Sequence, residues 1–320
     1  MSVQGPRALK PFKTFPEQLQ VLRDRGLGIE DEPSALAALE RIGYYRLSGY
    51  FYPLRKTKPV GESGRLDDFV DGATMDLVIQ IADFDKKLRL LTLYAIETIE
   101  VSVRVAVAHH LGRVKPDAHR HPSLLDGRFT STKRNGDPSD YDGWIEKFEQ
   151  LCEKSKEDFI DHHNGNYGGQ MPIWVAIEAW DFGLLSRFFT GLKFRDKNAI
   201  AANYGLADGE VLRSWLRTFN FVRNVAAHHS RLWNRVNTDI PVLPPLERCR
   251  WLEPLHKDQN SLRRLFGALT LMRFMMRAIK PDSTWHEQLK EHMGSFPKTD
   301  LVSLKAAGFP DEWQELPIWK

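Results

Sequence analysis

The amino-acid sequence predicts an all-α protein. Apolar residues recur at helical spacing in several long segments, and these segments begin at capping residues and end near glycine or proline. Strand signals are scarce, and Arg65–Phe69 is the one short segment where we predict a strand. No sequence repeat of the length found in solenoids occurs, so the helices are expected to form a bundle.

The composition is that of an ordinary globular chain. Of its 320 residues, 42% are hydrophobic and 27% are charged. The formal net charge is only +3, so affinity for nucleic acid has to come from local clusters of basic residues. Cys152 and Cys249 lie far apart and fit a reducing cytosol. Charged residues interrupt the apolar segment Leu90–Ala108 and the N-terminus lacks a secretory core, so we expect a cytoplasmic protein without a membrane span.

Residues 1–72 are predicted to form an N-terminal helical region. The segment Thr14–Glu17 has the threonine, proline and glutamate of a capped helix start, and this helix should end at Gly26. A second helix is expected over residues 33–42. The tyrosine-rich segment 42–55 suits a packed seam between elements, and a base-stacking surface is the alternative.

Residues 73–280 are predicted to form the main helical bundle, and residues 281–320 a helical tail. A helix capped by Thr74 should reach about His110. Polar loops are expected over residues 112–143 and 161–172. Further helices are predicted over residues 144–162, 173–192, 197–204, 261–280, 284–292 and 299–307. The central helix, which includes residues 213–235, is expected to be capped by Asp208.

The segment Arg213–Arg235 carries the functional prediction. Wound as a helix, it places an apolar stripe on one side and a polar band roughly 80° wide on the other. The band comprises Arg213, Arg217, Asn220, Asn224, His228, Arg231 and Arg235. A solvated helix face normally mixes both signs of charge, whereas this band has no carboxylate. We therefore expect it to bind an anion such as RNA; an ordinary solvated face is the alternative.

Arg223, Asn224 and His228 combine groups that can cut RNA without a metal ion. When the 2′-hydroxyl attacks the adjacent phosphate, an imidazole can move the proton and a guanidinium can stabilise the added negative charge. The amide can orient either group. On a straight helix Arg223 and His228 lie about 140° apart, so one helix makes an incomplete pocket. We expect a second copy across a two-fold axis to complete it, with Arg104 and His109 as the alternative.

Arg104 and His109 repeat the same arginine–histidine spacing on the long helix. Glu100 precedes Arg104 by four residues, in the order that favours a structural ion pair. Glu178 lies among apolar neighbours and is expected to need a cation, with Arg223 as the first candidate. The alternative is a solvent-facing position on a thin polar seam that Glu178 shares with Asp181. These residues are therefore a possible second site or a support for the first.

The loop histidines do not form a recognisable metal site. His119, His121, His162 and His163 match no known ligand spacing. We predict neither a metal nor another cofactor.

Four segments together resemble the Abi-2 family of bacterial abortive-infection proteins, of the AbiD/AbiF type. They are KPFKTFPEQLQVLRDRGL (10–27), IGYYRLSGYFYPLR (42–55), MPIWVAIEAWDFGLLSRFF (171–189) and RNVAAHHSRLWNR (223–235). The last segment is also similar to the arginine–histidine signature of the HEPN (higher eukaryote and prokaryote nucleotide-binding) superfamily. The pattern at Arg104 departs from that signature, because a valine follows the arginine.

The resemblance implies a HEPN-like helical bundle and a phage-defence protein that acts as a metal-independent endoribonuclease. By position, Arg223 and His228 would be catalytic, Asn224 would support them, and His229 and Arg231 would lie against the RNA. Relatives are thought to be restrained by a non-coding RNA or an antitoxin, which implies such a partner here. The alternative is a non-catalytic, RNA-binding or complex-forming HEPN protein of a toxin–antitoxin-like system.

Overall fold

The computed structural model describes residues 9–320 and confirms the all-α prediction. This part of the chain contains fifteen α-helices, one two-stranded sheet and several short 3-10 helices. It divides into two compact units, the first ending at Lys87 and including Ser295–Ser303, the second formed by Leu88–Gly294 and Leu304–Lys320. The predicted boundaries after residues 72 and 280 stay predictions. No helix within residues 9–320 is long and apolar enough to cross a bilayer.

The first unit begins with three helices and a small sheet. Its elements are α1 (Phe15–Asp24), α2 (Glu32–Ile42), α3 (Tyr44–Phe51), β1 (Arg55–Thr57) and β2 (Arg65–Phe69). The predicted capping box is present, since Thr14 and Glu17 each accept a hydrogen bond from the other's backbone N–H. The two strands pair antiparallel, with Arg55 opposite Phe69. The predicted strand over Arg65–Phe69 is confirmed.

The tyrosine-rich segment forms helix α3 and packs. Tyr50 is buried and donates a hydrogen bond to the Asp85 carboxylate at 2.7 Å. The ring of Tyr44 rests against Phe51, with 5.9 Å between ring centroids, while Tyr45 remains exposed. Tyr44 and Tyr50 therefore follow the packing interpretation rather than the base-stacking one.

The long helix α4 (Met75–Gly112) begins after Thr74 as predicted and runs through the division between the units. The other helices are α5 (Gly127–Thr130), α6 (Asp140–Lys154), α7 (Asp158–Tyr167), α8 (Ile173–Ala176), α9 (Phe182–Thr190), α10 (Phe194–Ala202), α11 (Gly209–Ala227), α12 (Glu253–Lys257), α13 (Gln259–Arg263), α14 (Leu265–Ile279) and α15 (Trp285–Gly294). Helix α11 packs against α9, α10 and α14. It buries Trp215, Phe219 and Val222 completely, so it forms the centre of the second unit.

Several predicted helices are interrupted. The helix predicted over residues 173–192 divides into α8, a 3-10 turn and α9, because the Asp181 carboxylate caps α9 by accepting the Leu184 N–H at 2.6 Å. The helix predicted over residues 144–162 breaks at the polar residues 155–157, and α7 then extends into the predicted loop.

The C-terminal helices also differ from the prediction. The helix predicted over residues 261–280 is interrupted at Arg264, because Asn237 forms hydrogen bonds with two backbone carbonyl groups there. The Asn237 N–H donates to the Arg263 carbonyl at 2.9 Å, and its side-chain amide donates to the Arg264 carbonyl at 3.2 Å. The helix predicted over residues 299–307 is present only as the 3-10 turn Leu304–Ala307.

His119 lies in an aromatic cluster of the second unit and is completely buried. Its ring is 5.6 Å from that of Phe148 and 6.3 Å from that of Trp180, measured between centroids. Neither ring nitrogen has a hydrogen-bond partner among the described residues. Burial, aided by the charge of Arg120, lowers the pKa of His119 from 6.5 to about 4.

We expect acid to destabilise the fold through His119. The unfolded chain takes up a proton near pH 6.5 and the folded chain only near pH 4, so the free energy of unfolding should fall as pH drops through this window. The full effect would be about 3 kcal/mol. Urea unfolding at pH 7 and pH 4.5 tests this, and His119→Leu should remove most of the difference while exposed His162→Ala should retain it. Equal pH dependence in all three proteins would contradict the assignment.

Candidate active site

Helix α11 carries the predicted site residues but ends earlier than predicted. It begins after Asp208, whose carboxylate accepts the Glu210 N–H at 2.8 Å, and its last residue is Ala227. The prediction of a helix continuing to Arg235 is therefore wrong. His228 is the residue that caps the helix.

The chain leaves α11 through a Schellman turn at His229. This residue has a left-handed backbone with a φ of 56°, and its N–H donates to the Ala226 carbonyl at 3.0 Å. The Ser230 N–H donates to the Val225 carbonyl, also at 3.0 Å, which completes the motif. Glycine is the usual residue at this position, although histidine tolerates positive φ better than most. The sequence has no glycine here to signal the end of the helix, which explains the wrong prediction.

A pair of substitutions at His229 tests this turn. His229→Gly and His229→Ala both remove the imidazole, but only alanine keeps a Cβ in the left-handed conformation. We expect the glycine variant to be more stable by about 1 kcal/mol. Chemical denaturation of the two variants measures the difference. An alanine variant as stable as the glycine variant would contradict the left-handed turn.

The segment after the turn is anchored to the second unit. Leu232 and Trp233 are buried, and the Arg264 guanidinium donates to the Asn234 carbonyl at 2.9 Å. The Arg235 guanidinium lies 5.7 Å from the centre of the Phe221 ring on α11. Arg235 thus stays beside the helix, although it is not part of it.

The three predicted catalytic residues lie in the last turn of α11 and at its cap. Arg223 and Asn224 are half-buried, and His228 is exposed. The Arg223 guanidinium donates to the Asn224 side-chain carbonyl at 3.4 Å. The His228 N–H donates to the backbone carbonyl of Asn224 at 3.0 Å, while its imidazole faces the surface. A guanidinium, an amide and an imidazole therefore share one end of one helix.

The band of basic residues on α11 does have acidic partners. Arg213 forms an ion pair with Glu210 on its own helix, and Arg217 pairs with Asp239 from the segment that follows. The interpretation of a face without carboxylates is wrong, because it left out Glu210 and could not anticipate Asp239. Asn220 is half-buried against α9. The RNA-binding role of these residues stays a prediction, and RNA would have to compete with the two carboxylates.

Arg104 is held by three acceptors. Its guanidinium donates to Glu100 at 2.6 Å, to the Trp180 carbonyl at 2.5 Å and to Glu178 at 3.5 Å. The predicted pairing of Glu178 with Arg223 is wrong: the Glu178 side chain is 55% exposed, and Arg104 is its partner. The Glu100–Arg104 ion pair considered from the sequence is present.

Electrostatic interactions connect Arg223 with this cluster. Burial raises the pKa of Glu100, and the positive charges of Arg104 and Arg223 oppose the rise. Burial also disfavours the charged form of Asp181, but the hydrogen bond from Lys147, the capping N–H and the charge of Arg223 lower its pKa overall. Glu100 is thus influenced by the arginines of both patterns, through an ion pair with Arg104 and through the charge of Arg223. Sequence reasoning placed Asp181 on a polar seam with Glu178 but missed its capping role, although a position before a helical segment is a capping signal.

His109 has different surroundings. It is exposed and lies 3.2 Å from the Arg113 guanidinium, on a groove rather than against the Trp180 backbone that holds Arg104. A second active pair formed by Arg104 and His109 stays a prediction. No group of three or more His, Cys, Asp or Glu side chains in the part of the chain described here could hold a metal ion.

Comparison with known proteins identifies the family. The family described as Abi-like protein matches residues 37–234, which include α3, the Arg104 cluster and the Arg223–His228 segment. No curated protein and no solved structure matches the chain. Because the match covers more than half of the 320 residues, the chain belongs to the Abi-like protein family, and this membership points to abortive-infection phage defence.

Proposed function

We propose that this protein is a metal-independent endoribonuclease of the HEPN type, with Arg223, Asn224 and His228 as its active site. The observation that supports the proposal best is the position of these three residues in the last turn of α11 and at its cap, where the Arg223 guanidinium donates a hydrogen bond to the Asn224 side-chain carbonyl. His228 is exposed and therefore accessible to a substrate, and Arg223 is half-buried with its guanidinium hydrogen-bonded to Asn224.

The reaction is an internal attack by RNA. The 2′-oxygen forms a bond to the adjacent phosphorus and the bond to the 5′-oxygen breaks, which gives a 2′,3′-cyclic phosphate and a 5′-hydroxyl. Neutral His228 can accept the proton of the 2′-hydroxyl, or protonated His228 can deliver one to the leaving oxygen. The Arg223 guanidinium stabilises the phosphorane by paired hydrogen bonds. Asn224 orients the guanidinium through its side-chain carbonyl.

The proposed assembly is a homodimer in the cytoplasm. One imidazole cannot remove and deliver a proton at the same moment, so a second copy across a two-fold axis would supply the missing group. A regulatory RNA or an antitoxin is the proposed restraint, by analogy with the family resemblance.

A non-catalytic RNA-binding or complex-forming role is the second candidate. It is favoured by the charge of Arg223, which acts against burial to lower the pKa values of the Glu100 and Asp181 carboxyl groups and so can stabilise the fold without any chemistry. The two candidates differ in whether His228 matters beyond binding.

The ends of the RNA products test the proposed reaction. Total RNA incubated with the wild-type protein in EDTA should acquire 2′,3′-cyclic phosphate and 5′-hydroxyl ends, whereas the His228→Ala variant should yield none. Ligation that depends on these ends, followed by sequencing, detects them. Products with 5′-phosphate ends, or cleavage that EDTA abolishes, would contradict the proposed chemistry.

A further inference from the structure

A groove in the second unit has the features of a binding site for a single nucleobase. It lies between the C-terminal part of α4 and residues 174–178, and its volume is about 430 Å³. Its walls are largely aliphatic, and one indole ring, Trp174, lines it. Three groups able to bind polar atoms also line it: His109, Arg113 and Glu178. An apolar groove with a few converging polar groups is the usual form of a small-ligand site.

Trp174 is held as an exposed platform. The side chain is 52% exposed, and a Cβ on Gly112 would lie only 3.2 Å from the nearest ring carbon, so the ring is seated closely against α4. The neighbouring Ile173 is fully buried and its N–H donates to the Pro116 carbonyl at 2.6 Å, which fixes the start of α8. A rigid ring held in this way offers an exposed aromatic surface on which a planar ligand can stack.

The other exposed tryptophan provides a contrast. Of the nine tryptophans, only Trp174 and Trp251 are exposed in the described chain. The Arg277 guanidinium covers Trp251, 4.1 Å from its ring centre. Trp251 is thus occupied by a cation of the same chain, which makes it a suitable control.

The charged groups of the groove complement a nucleotide. The Arg113 guanidinium donates to His109 Nε2 at 3.2 Å, which leaves its other N–H groups and the Nδ1–H of His109 as donors for a phosphate. The Glu178 carboxylate offers acceptors to the amino group of a base. Glu178 also forms an ion pair with Arg104, and Arg104 forms a second ion pair with Glu100. Burial raises the pKa of Glu100, and the charge of Arg223 opposes that rise. Two ion pairs, Glu178–Arg104 and Arg104–Glu100, therefore link the groove to the cluster on which the charge of Arg223 acts.

We propose that this groove binds one unpaired, amino-bearing nucleotide of an RNA strand. Its base stacks on Trp174, its amino group donates to Glu178, and its phosphate accepts from Arg113 and His109. This inference rests on RNA being the substrate, as proposed above, and adds that the strand is single-stranded where it enters the site. Stacking on aromatic rings is the general means by which proteins hold unpaired bases.

Binding measurements on the full chain test the groove without relying on cleavage. In a His228→Ala background, fluorescence anisotropy with single-stranded oligo(A) and oligo(U) of 12 nucleotides reports affinity. Trp174→Ala should weaken oligo(A) binding by about tenfold or more, since one base stack has this value. Trp174→Phe should retain most of the affinity, and Trp251→Ala should change nothing. Glu178→Gln should reduce the preference for oligo(A) over oligo(U).

Inorganic polyphosphate separates stacking from charge, because it has phosphates and no bases. Trp174→Ala should leave its binding unchanged. Equal oligo(A) affinity in the Trp174→Ala and Trp251→Ala variants would overturn the proposal. The proposal would also be overturned if Trp174→Ala changed the oligomeric mass measured by sedimentation and left the affinity for RNA unaltered. That result would identify the groove as a contact between copies of the chain.

The wild-type cleavage assay keeps the two proposals apart. Wild-type protein that cuts no RNA but shows the Trp174 dependence in binding would refute the nuclease and support the groove. RNA cleavage by the wild-type protein, combined with RNA binding that does not depend on Trp174, would support the nuclease and refute the groove.

Discussion

Replacing His228 by alanine is expected to reduce the rate of RNA cleavage by about 10²–10⁴-fold, the usual contribution of a proton-transferring side chain. His228 is exposed and caps α11 through its backbone, so the substitution should leave the fold and the affinity for RNA nearly unchanged. Single-turnover cleavage of a labelled RNA at saturating protein measures the rate. Anisotropy on the same RNA measures binding.

The matched control is His162→Ala. His162 is also an exposed histidine, but it lies on α7 and contacts Asn166 rather than the end of α11. The His162→Ala variant should cleave RNA at the wild-type rate. If His228→Ala also cleaved at the wild-type rate, His228 would have no catalytic role, and the non-catalytic candidate would take the place of the nuclease.

Replacing Arg104 by methionine is expected to lower the free energy of unfolding by about 3–5 kcal/mol. The Arg104 and Glu100 side chains are only 16% and 14% exposed, so removing the guanidinium leaves a largely buried carboxylate without its cation. The Trp180 carbonyl would lose a donor as well. Urea unfolding at pH 7 measures the loss. Arg187→Met is the control, because Arg187 and Asp140 form an exposed pair whose removal should cost less than about 1 kcal/mol.

The pH dependence of the Arg104→Met variant identifies the cause. Burial already raises the pKa of Glu100 above 4.5, and losing Arg104 raises it further. Between pH 4.5 and the raised pKa of the folded variant, Glu100 has released its proton in the unfolded chain but retains it in the folded variant. The substitution should therefore cost more stability at pH 7 than at pH 4. In a Glu100→Gln background the cost of Arg104→Met should shrink. A loss that is the same at both pH values and in both backgrounds would assign Arg104 a packing role only.

The candidate site shows which parts of such a prediction depend on distant residues. The helix that presents Arg223 and Asn224 follows from its own apolar periodicity and its capping Asp208, and both are visible in the sequence. The end of that helix was not predictable, because the turn at His229 uses a residue that rarely adopts positive φ. Its position also depends on the burial of Leu232 and Trp233 in the core.

Hydrogen bonds that close within one helical turn, or between neighbouring strands, need no knowledge of the fold. The capping box at Thr14, the strand Arg65–Phe69 and the long helix after Thr74 are of this kind, and the residue order was sufficient to predict them. The all-α class follows from the same local patterns repeated along the chain.

Ionic partners required the folded chain. Glu178 pairs with Arg104, 74 residues earlier, and Arg217 pairs with Asp239, 22 residues later. No periodicity links such residues, because the tertiary packing of separate helices and of the loop that carries Asp239 decides which charged side chains lie within a few ångströms of each other. The sequence of α11 therefore predicted the basic groups of the candidate site. Most of the carboxylates that oppose their charge come from other parts of the chain, so they became known only with the fold.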